Sequence, residues 1–212
     1  MEGIQYIAEK LSDAQVASDP DWADCEFEEA RAHTYHWHGG KGQWRVSHTS
    51  VMVCVQKTLF SEGALRNVYQ MRQRDATTGM WTQMVAKSFK SACLGGAVTD
   101  IKQWHYREVE SQVVAKHYAD QFNLCNPPKR CDFIVPYCVE MVQRPGRPLY
   151  NVEVLFHGDK YEKHNTNAGG VTSDRNTPQA YTHFSFVASN KRMCVCDIQG
   201  VMDMYQPRTI SS

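Results

Sequence analysis

Short apolar runs of strand length recur along the chain, and polar or glycine-containing segments separate them. Runs of this length, rich in Val, Met and aromatic residues and bounded by turn residues, are typical of buried β-strands. Asp75–Gly79 has the composition of a turn between two of them. The pattern predicts strands over residues 51–55, 68–72, 80–89, 133–141 and 149–156.

One long segment follows a helical period instead. Its apolar side chains recur at about 3.6-residue spacing from Asp100, which can cap the helix, to about Asn123, and Pro127 ends it. Several strands around one long helix predict an α+β fold. Shorter segments are predicted to form helices over residues 1–18 and 25–33, and a hairpin of residues 184–188 with residues 193–198.

The charges of the chain balance, with 23 Lys and Arg against 23 Asp and Glu. A net charge of zero argues against a nucleic-acid or anionic-membrane partner that is attracted by bulk charge. The sequence contains no run of about 18 apolar residues, the length that could span a membrane. Residues 1–10 lack the basic start and apolar core of an export signal. We therefore predict a cytoplasmic protein with reduced cysteines.

Two motifs next to predicted strands suit a phosphate group. Gly63 lies in a strand-to-strand turn, where backbone N–H groups can approach a phosphate, although an ordinary hairpin explains the same residues. Lys87 lies inside an apolar strand, so its ammonium either grips phosphates or reaches water from a strand edge. The carboxylate partner of Lys87 is expected on the following helix, at Glu108 or Glu110.

Three further motifs carry polar side chains that could bind a ligand or a metal ion. Glu140 ends an apolar strand, where its carboxylate faces either a ligand or water. Residues 160–170 combine lysines, amides and glycines, which suit phosphate oxygens or a solvated loop. Asp197 and Gln199 are predicted to share one face of the last strand, where their oxygens can hold Mg²⁺, and a strand-end turn is the alternative.

The segments TPQAYTHF (residues 177–184) and VCDIQGV (195–201) resemble the paired signatures of the α-kinases, atypical protein kinases typified by myosin heavy-chain kinase and elongation-factor-2 kinase. FSEGALRNVY (60–69) and MVAKSFK (84–90) resemble that family's phosphate loop and lysine strand. The resemblance implies an α+β, two-lobed kinase-like fold, and a serine/threonine kinase that binds ATP and Mg²⁺ and acts on a protein substrate. It implies an N-terminal extension over residues 1–45 and a catalytic domain over 46–212, with an upper lobe of about 46–140 and a lower lobe of about 141–212.

The resemblance also implies roles for single residues. Lys87, Asp197 and Gln199 would be the catalytic residues, Asp197 and Gln199 would also hold Mg²⁺, and His183 would be a zinc ligand. The nucleotide would be bound by ten residues of the phosphate loop, the lysine strand, the adenine pocket and the polar loop: Gly63, Ala64, Leu65, Arg66, Lys87, Glu140, Met141, Lys163, Asn165 and Asn167.

The chain departs from the family's pattern near Ser212. The aspartate of the family's T-D-P motif has no counterpart, and Gln206 stands about there; an amide cannot act as a base or as a charged magnesium ligand. The family's Gly-rich loop and its remaining zinc ligands are also absent. We therefore expect a C-terminally truncated domain with an incomplete lower lobe, no bound zinc and weak phosphoryl transfer.

Two alternatives to an active kinase stay open. One is a pseudokinase that serves as an ATP-binding interaction module. The other is a calmodulin-controlled adaptor, since the segment before Asp19 occupies the place of a calmodulin target in the family. Such targets are usually basic, and Lys10 is the single basic residue of residues 1–18, which disfavours calmodulin as a partner.

Overall fold

A computed structural model describes Trp22 and residues 25–38, 43–90, 101–155, 161–206 and 209–211. These residues contain both strands and helices, which confirms the predicted α+β class. The predicted helix over residues 1–18 lies outside the described residues. The chain divides into two compact units, which we call the barrel unit (Ser18–Glu110 with Pro136–Leu155) and the helical unit (Ser111–Val135 with Phe156–Ser212). The predicted domain boundaries differ from this division and stay predictions.

The described strands are β1 Glu28–His38, β2 Gln43–Glu62, β3 Arg66–Arg74, β4 Trp81–Phe89, β5 Asp132–Phe133, β6 Tyr137–Glu140, β7 Leu149–Val154, β8 Glu162–Lys163, β9 Cys194–Cys196, β10 Gln199–Val201, β11 Met204–Gln206 and β12 Thr209–Ser211. The described helices are α1 Ile101–Leu124 and α2 Asn176–Ala188. Neither of them is long and apolar enough to cross a membrane.

Six strands of the barrel unit close into a barrel in the order β1–β2–β3–β4–β7–β6. Every neighbouring pair is antiparallel, and closing the sheet removes the unpaired edges that an open sheet would present. On β4 the register places Lys87 opposite Val68 of β3 and opposite Asn151 of β7. Apolar side chains form the core: Ala30, Val53, Val55, Met71, Met84, Ala86, Val139, Met141 and Val152.

The first part of α1 packs on the barrel through His105. The His105 ring lies edge-on to the Phe89 ring at 5.0 Å, and its Nδ1 lies 2.7 Å from Asn151 Oδ1. Burial lowers the pKa of His105 to about 4; the Asn151 hydrogen bond opposes this shift and the Arg66 charge adds to it. The imidazole is therefore neutral inside the folded barrel at neutral pH.

This burial predicts that the barrel loses stability in mild acid. Because the pKa of His105 falls from 6.5 to about 4 on folding, the unfolded chain binds the extra proton as pH falls below 6.5. We expect His105 to remove about 2 kcal/mol of unfolding free energy between about pH 7 and about pH 5. Urea unfolding followed by Trp emission at both pH values measures this loss.

Two variants separate the role of His105 from that of the other histidines. His105→Gln should flatten the pH dependence, leaving the contribution of His33, whose pKa is also lowered, mainly by burial. His36 is exposed on β1, so His36→Gln should keep the wild-type dependence. An equally steep loss in His105→Gln would contradict the assignment.

The helical unit is built around Tyr181 of α2. The Tyr181 hydroxyl donates to the Ala115 carbonyl at 2.6 Å, and the Tyr181 ring packs against Phe133 at 4.8 Å and Phe122 at 5.9 Å. Four short strands form a sheet in the order β5–β11–β10–β8, and β12 pairs with β9. Asp197 lies between β9 and β10, and Gln199 begins β10, so both residues belong to the helical unit.

Three of the predicted elements are wrong. Residues 25–33 are not helical, because β1 buries Ala30 and Ala32 on the barrel side and exposes Arg31 between them. The hairpin of residues 184–188 does not form, because these residues end α2, whose buried positions recur at helical spacing. The run 133–141 breaks into β5 and β6 around Pro136, which has no N–H to donate to a ladder.

The prediction that all cysteines are reduced is wrong for one pair. Cys25, just before β1, and Cys54 of β2 are joined by a disulfide, with their Cα atoms 6.1 Å apart. The remaining described cysteines are thiols. Burial raises the pKa of Cys131 and Cys138 to about 12, which keeps these two thiols protonated and unreactive.

Candidate functional site

The barrel wall holds a buried lysine–glutamate pair. Lys87 of β4 donates from Nζ to Glu153 Oε1 of β7, and the side chains are 13% and 5% exposed. The pairing follows from the antiparallel register of β4 and β7, in which Val85 lies opposite Glu153 and Lys87 opposite Asn151. A cation so buried must be paired, and the pair fixes its position on two rigid strands.

The carboxylate expected on the helix beside Lys87 forms an ion pair with a different residue. Glu108 of α1 accepts from Arg66 Nη1 at 2.7 Å, and Glu153 takes the place predicted for Glu108 or Glu110. The Arg66 guanidinium also lies 5.8 Å from the centre of the Phe89 ring. Arg66 is therefore held near the start of β3 by α1 and by β4.

Gly63, Ala64 and Leu65 form the exposed turn between β2 and β3. The Gly63 N–H donates to the Arg66 carbonyl at 2.8 Å, and the Lys90 N–H donates to the Leu65 carbonyl at 2.9 Å. A Cβ added at Gly63 would meet its nearest described atom at 3.7 Å, an ordinary contact. A Cβ at position 63 would therefore fit among the described residues without displacing them.

Glu140 lies at the centre of a charge cluster. Its carboxylate accepts from Lys102 Nζ at 3.1 Å and from Arg147 Nη2 at 2.9 Å, and His33 Nε2 lies 3.7 Å away. Burial tends to raise the pKa of Glu140, but Lys102, Arg147 and His33 outweigh it and lower the pKa. The carboxylate is thus charged and held by α1, β1 and the turn before β7.

Met141 follows Glu140 directly but faces the barrel core. Its side chain is fully buried in the apolar cluster, and its N–H donates to the Pro148 carbonyl at 3.0 Å. In the role predicted for it, Met141 would line an adenine pocket. Its backbone N–H is already engaged in the β6–β7 turn.

In the helical unit, Asp197 and Gln199 lie in one short buried segment. They do not share the face of one strand, because Asp197 lies between β9 and β10 with φ at +54°, whereas Gln199 begins β10. Both side chains are buried, and Gln199 Nε2 donates to the Asp197 carbonyl at 3.5 Å. Lys163 of β8 places Nζ 2.5 Å from Asp197 Oδ1.

Asn165 and Asn167 occupy different environments. Asn165 is buried, and its amide nitrogen donates to Gln179 Oε1 at 3.0 Å and to Thr182 Oγ1 at 3.1 Å. Asn167 is exposed in a turn closed by the Thr166 N–H donating to the Gly170 carbonyl at 2.9 Å.

The Asp197 segment suits a magnesium ion. Asp197 Oδ1 is buried, and the Lys163 ammonium is its one partner among the described residues. Gln199 brings an amide oxygen to the same segment. A carboxylate with an amide, completed by phosphate oxygens and water, is a typical Mg²⁺ environment. The residues present therefore fit the ion.

The predicted zinc ligand, His183, lies on α2 and not in the segment that carries Asp197 and Gln199. His183 is exposed on that helix. Among the described residues no group of three or more His, Cys, Asp or Glu side chains could hold a metal ion. Among the described residues, His183 therefore belongs to no group of possible metal ligands.

Sequence reasoning missed Glu153 and Gln179. Glu153 had a signal like that of Lys87, a charged residue inside the apolar run LYNVEVLF. Gln179 lies within the TPQAYTHF segment, and its Nε2 donates to the His164 carbonyl at 2.9 Å. Its contacts could not be predicted while residues 184–188 were interpreted as a strand.

Comparison with known proteins places these residues in a family. Residues 61–211 match the model of the alpha-kinase family. Alpha-protein kinase 1 of Dictyostelium discoideum is 41% identical over 172 residues, which cover 81% of this chain and 12% of that protein. Eukaryotic elongation factor 2 kinase of Homo sapiens is 30% identical over 204 residues, which cover 92% of this chain and 27% of that protein.

Solved structures agree with the sequence comparison. The alpha-kinase domain of myosin-II heavy chain kinase A in complex with AMP-PNP superposes with a TM-score of 0.71 at 28% identity, covering 87% of this chain and 83% of that domain. The chain spans 12% and 27% of the length of the two curated relatives above. With a family match over residues 61–211 and this structural likeness, the chain belongs to the α-kinase family of protein kinases.

Proposed function

We propose that this chain binds ATP with Mg²⁺ and transfers the γ-phosphoryl group to serine or threonine hydroxyls of a protein substrate. The observation that carries the proposal is the buried Lys87–Glu153 pair in the barrel of a member of the α-kinase family. We also propose that it works in the cytoplasm, where ATP is abundant.

Within the barrel unit, Lys87 would hold phosphate oxygens of the nucleotide. Its ammonium already has a fixed place beside Glu153, so binding costs little further ordering of the side chain. The Gly63 turn would bring backbone N–H groups to the phosphates, with Arg66 close by, and Glu140 would lie at the adenine end.

Within the helical unit, Asp197 and Gln199 would supply oxygen ligands to the metal. Bound Mg²⁺ would neutralise developing charge on the phosphate oxygens. Lys163, which is exposed over 45% of its side chain, would exchange its pairing with Asp197 for phosphate oxygens, and the exposed amide of Asn167 would add a hydrogen bond.

A pseudokinase that binds ATP without transferring phosphate is the second candidate. The observation in its favour is Gln206 of β11, which lies opposite Gln199 of β10 in the sheet. An amide at this place offers neither the charge nor the basicity of a carboxylate. Calmodulin control, the remaining alternative, concerns residues 1–18, which lie outside the described residues.

A labelling experiment separates these candidates. The chain is incubated with Mg²⁺, γ-labelled ATP and peptides that contain a single Ser, Thr or Tyr. We expect slow labelling of Ser and Thr peptides and about 10²-fold faster labelling by Gln206→Asp, because the variant restores one catalytic charge.

Gln206→Ala serves as the matched control and should give no gain. Binding of ATP without labelling by either the wild type or Gln206→Asp would identify a pseudokinase. Labelling of the Tyr peptide alone, or no binding of ATP, would overturn the proposed function.

A further inference from the structure

In the segment that carries Asp197 and Gln199, both peptide groups of Ile198 are hydrogen-bonded. The Ile198 N–H donates to Asn165 Oδ1 at 2.8 Å, and the His164 N–H donates to the Ile198 carbonyl at 2.8 Å. Ile198 itself is fully buried. Because Ile198 links the two residues, whatever fixes its peptide groups also fixes Asp197 and Gln199.

The Asn165 side chain is oriented by α2. Its Nδ2 has two hydrogens, and they are used by Gln179 Oε1 at 3.0 Å and Thr182 Oγ1 at 3.1 Å. Its Oδ1 then faces the Ile198 N–H. An amide whose two donors and one acceptor are all matched has a single orientation, since a flip would place donor against donor at Ile198.

Gln179 is itself held in place. Its Nε2 donates to the His164 carbonyl at 2.9 Å while its Oε1 accepts from Asn165. Gln179 thus bonds to both residues that grip Ile198. Asn165 is 3% exposed and His164 fully buried, so these bonds form away from competing water.

The segment needs such support because of its backbone. Asp197 has φ at +54°, in the left-handed region that non-glycine residues seldom adopt. Residues held in this region persist when the surrounding structure fixes them, and they cluster at functional sites.

We propose that Gln179 and Thr182 of α2 are positioning residues that act through Asn165 to hold Asp197 and Gln199 in the geometry that binds magnesium. The proposal rests on the proposed function for the roles of Asp197 and Gln199. It gives Asn165 an internal role in place of a phosphate contact, and it leaves Asn167 as the asparagine of this loop that is exposed to ligand.

Gln179→Leu tests the proposal, since leucine keeps most of the volume and removes both hydrogen bonds. The affinity of the full chain for ATP is measured with Mg²⁺ and again with EDTA in place of Mg²⁺. We define the Mg²⁺-dependent part of the affinity as the ratio of the affinity with Mg²⁺ to that with EDTA. We expect this ratio to fall about tenfold and the affinity in EDTA to stay unchanged, as is typical when a partner behind a metal ligand is removed. Thr182→Val, which removes one hydrogen bond, should show a smaller loss of the same kind.

Ser185→Ala is the matched control on the same helix. Ser185 Oγ accepts from the Val195 N–H at 3.0 Å, so this variant also removes a buried bond to the strand region, but not to Ile198. It should lower the urea midpoint of the helical unit, followed by hydrogen exchange of residues 176–206 rather than by Trp emission, and leave the Mg²⁺-dependent affinity unchanged. A lower midpoint in Gln179→Leu with unchanged Mg²⁺ dependence would show a merely structural role and overturn the proposal.

Amide hydrogen exchange at Ile198 gives a second readout that needs no nucleotide. Exchange should be at least about tenfold faster in Gln179→Leu than in Ser185→Ala, because the first variant releases the acceptor of that N–H. Equal exchange rates in the two variants would overturn the proposal. A wild-type chain that binds no ATP would overturn the proposed function alone, since Ile198 exchange still decides whether Gln179 holds this segment.

Discussion

Replacing Lys87 by methionine should abolish measurable ATP binding and lower any phosphoryl transfer by about 10²–10³-fold, because the change removes the fixed charge that we propose for the phosphates. The same change leaves Glu153, 5% exposed, without its cation. Removing one partner of a buried pair typically destabilises a protein by about 3–5 kcal/mol. The single variant is therefore expected to lose both binding and stability.

The double variant Lys87→Met with Glu153→Met separates these two effects. Replacing both charges by apolar side chains is often close to neutral for stability. We expect its urea midpoint to return near the wild-type value while ATP binding stays absent. Recovery of ATP binding together with stability would show that Lys87 serves the fold alone.

Lys57→Met is the matched control for the charge change. Lys57 lies exposed on β2, so its loss should alter neither the midpoint nor ATP affinity measurably. Calorimetric titration with ATP and Mg²⁺, together with Trp emission during urea unfolding, measures both quantities in all these variants.

The sequence predicted β3, β4 and α1 well because each depends on local information. β4 has the buried apolar run of residues 84–86 at its centre. α1 buries residues at helical spacing, such as His105, Val109 and Gln112. Lys87 could be singled out for the same reason, as a charge inside an apolar run. The boundaries of β3 and β4 fall within two residues of the predicted ones.

β1 could not be predicted because its buried residues do not keep a period of two: Ala30 and Ala32 lie on one face of the strand, whereas His33 and Tyr35 lie on the other. Ala30, Ala32 and Tyr35 are buried, and the residues between and after them include Arg, His and Thr. Small buried alanines give a weak alternation signal, so the segment resembled a polar helix. Its strand form depends on pairing with β2 along eleven positions and with β6 at Arg31–His33, which only the closed barrel provides.

The partner of Lys87 was missed because it depends on topology. Glu153 lies 66 positions further along the chain and reaches Lys87 since β7 pairs with β4. The sequence offers Glu108 and Glu110 instead, because both are closer along the chain and lie on the next helix. The interpretation of residues 184–188 failed similarly: Phe184 packs against Phe122 at 5.5 Å, and this contact within the helical unit favours helix over strand.

Gly200→Ala should unfold the sheet of the helical unit. Gly200 of β10 lies opposite Tyr205 of β11, and a Cβ at this position would lie 2.0 Å from the Met204 carbonyl oxygen and 2.9 Å from the Tyr205 Cα. These are backbone atoms, so no side-chain rotation can relieve the overlap. β11 would have to leave β10, which removes the strand pairing beside Gln199.

We expect this single methyl group to destabilise the helical unit by more than about 4 kcal/mol, at the extreme of what point substitutions do. Gly63→Ala is the matched control, because the nearest described atom to its Cβ would be the Arg66 carbonyl oxygen at 3.7 Å, an ordinary contact. Trp22, Trp37, Trp44, Trp81 and Trp104 all belong to the barrel unit, so their emission reports that unit and not the sheet around Gly200.

Hydrogen exchange of residues 194–206 therefore measures the effect where it arises. In Gly200→Ala these amides should lose their protection, whereas in Gly63→Ala they should exchange as in the wild type. Because β10 carries Gln199 and follows Asp197, the loss of protection should be accompanied by loss of the Mg²⁺-dependent part of ATP affinity. Retained protection of residues 194–206 in Gly200→Ala would show that β10 and β11 do not approach as closely as the Gly200 contacts require.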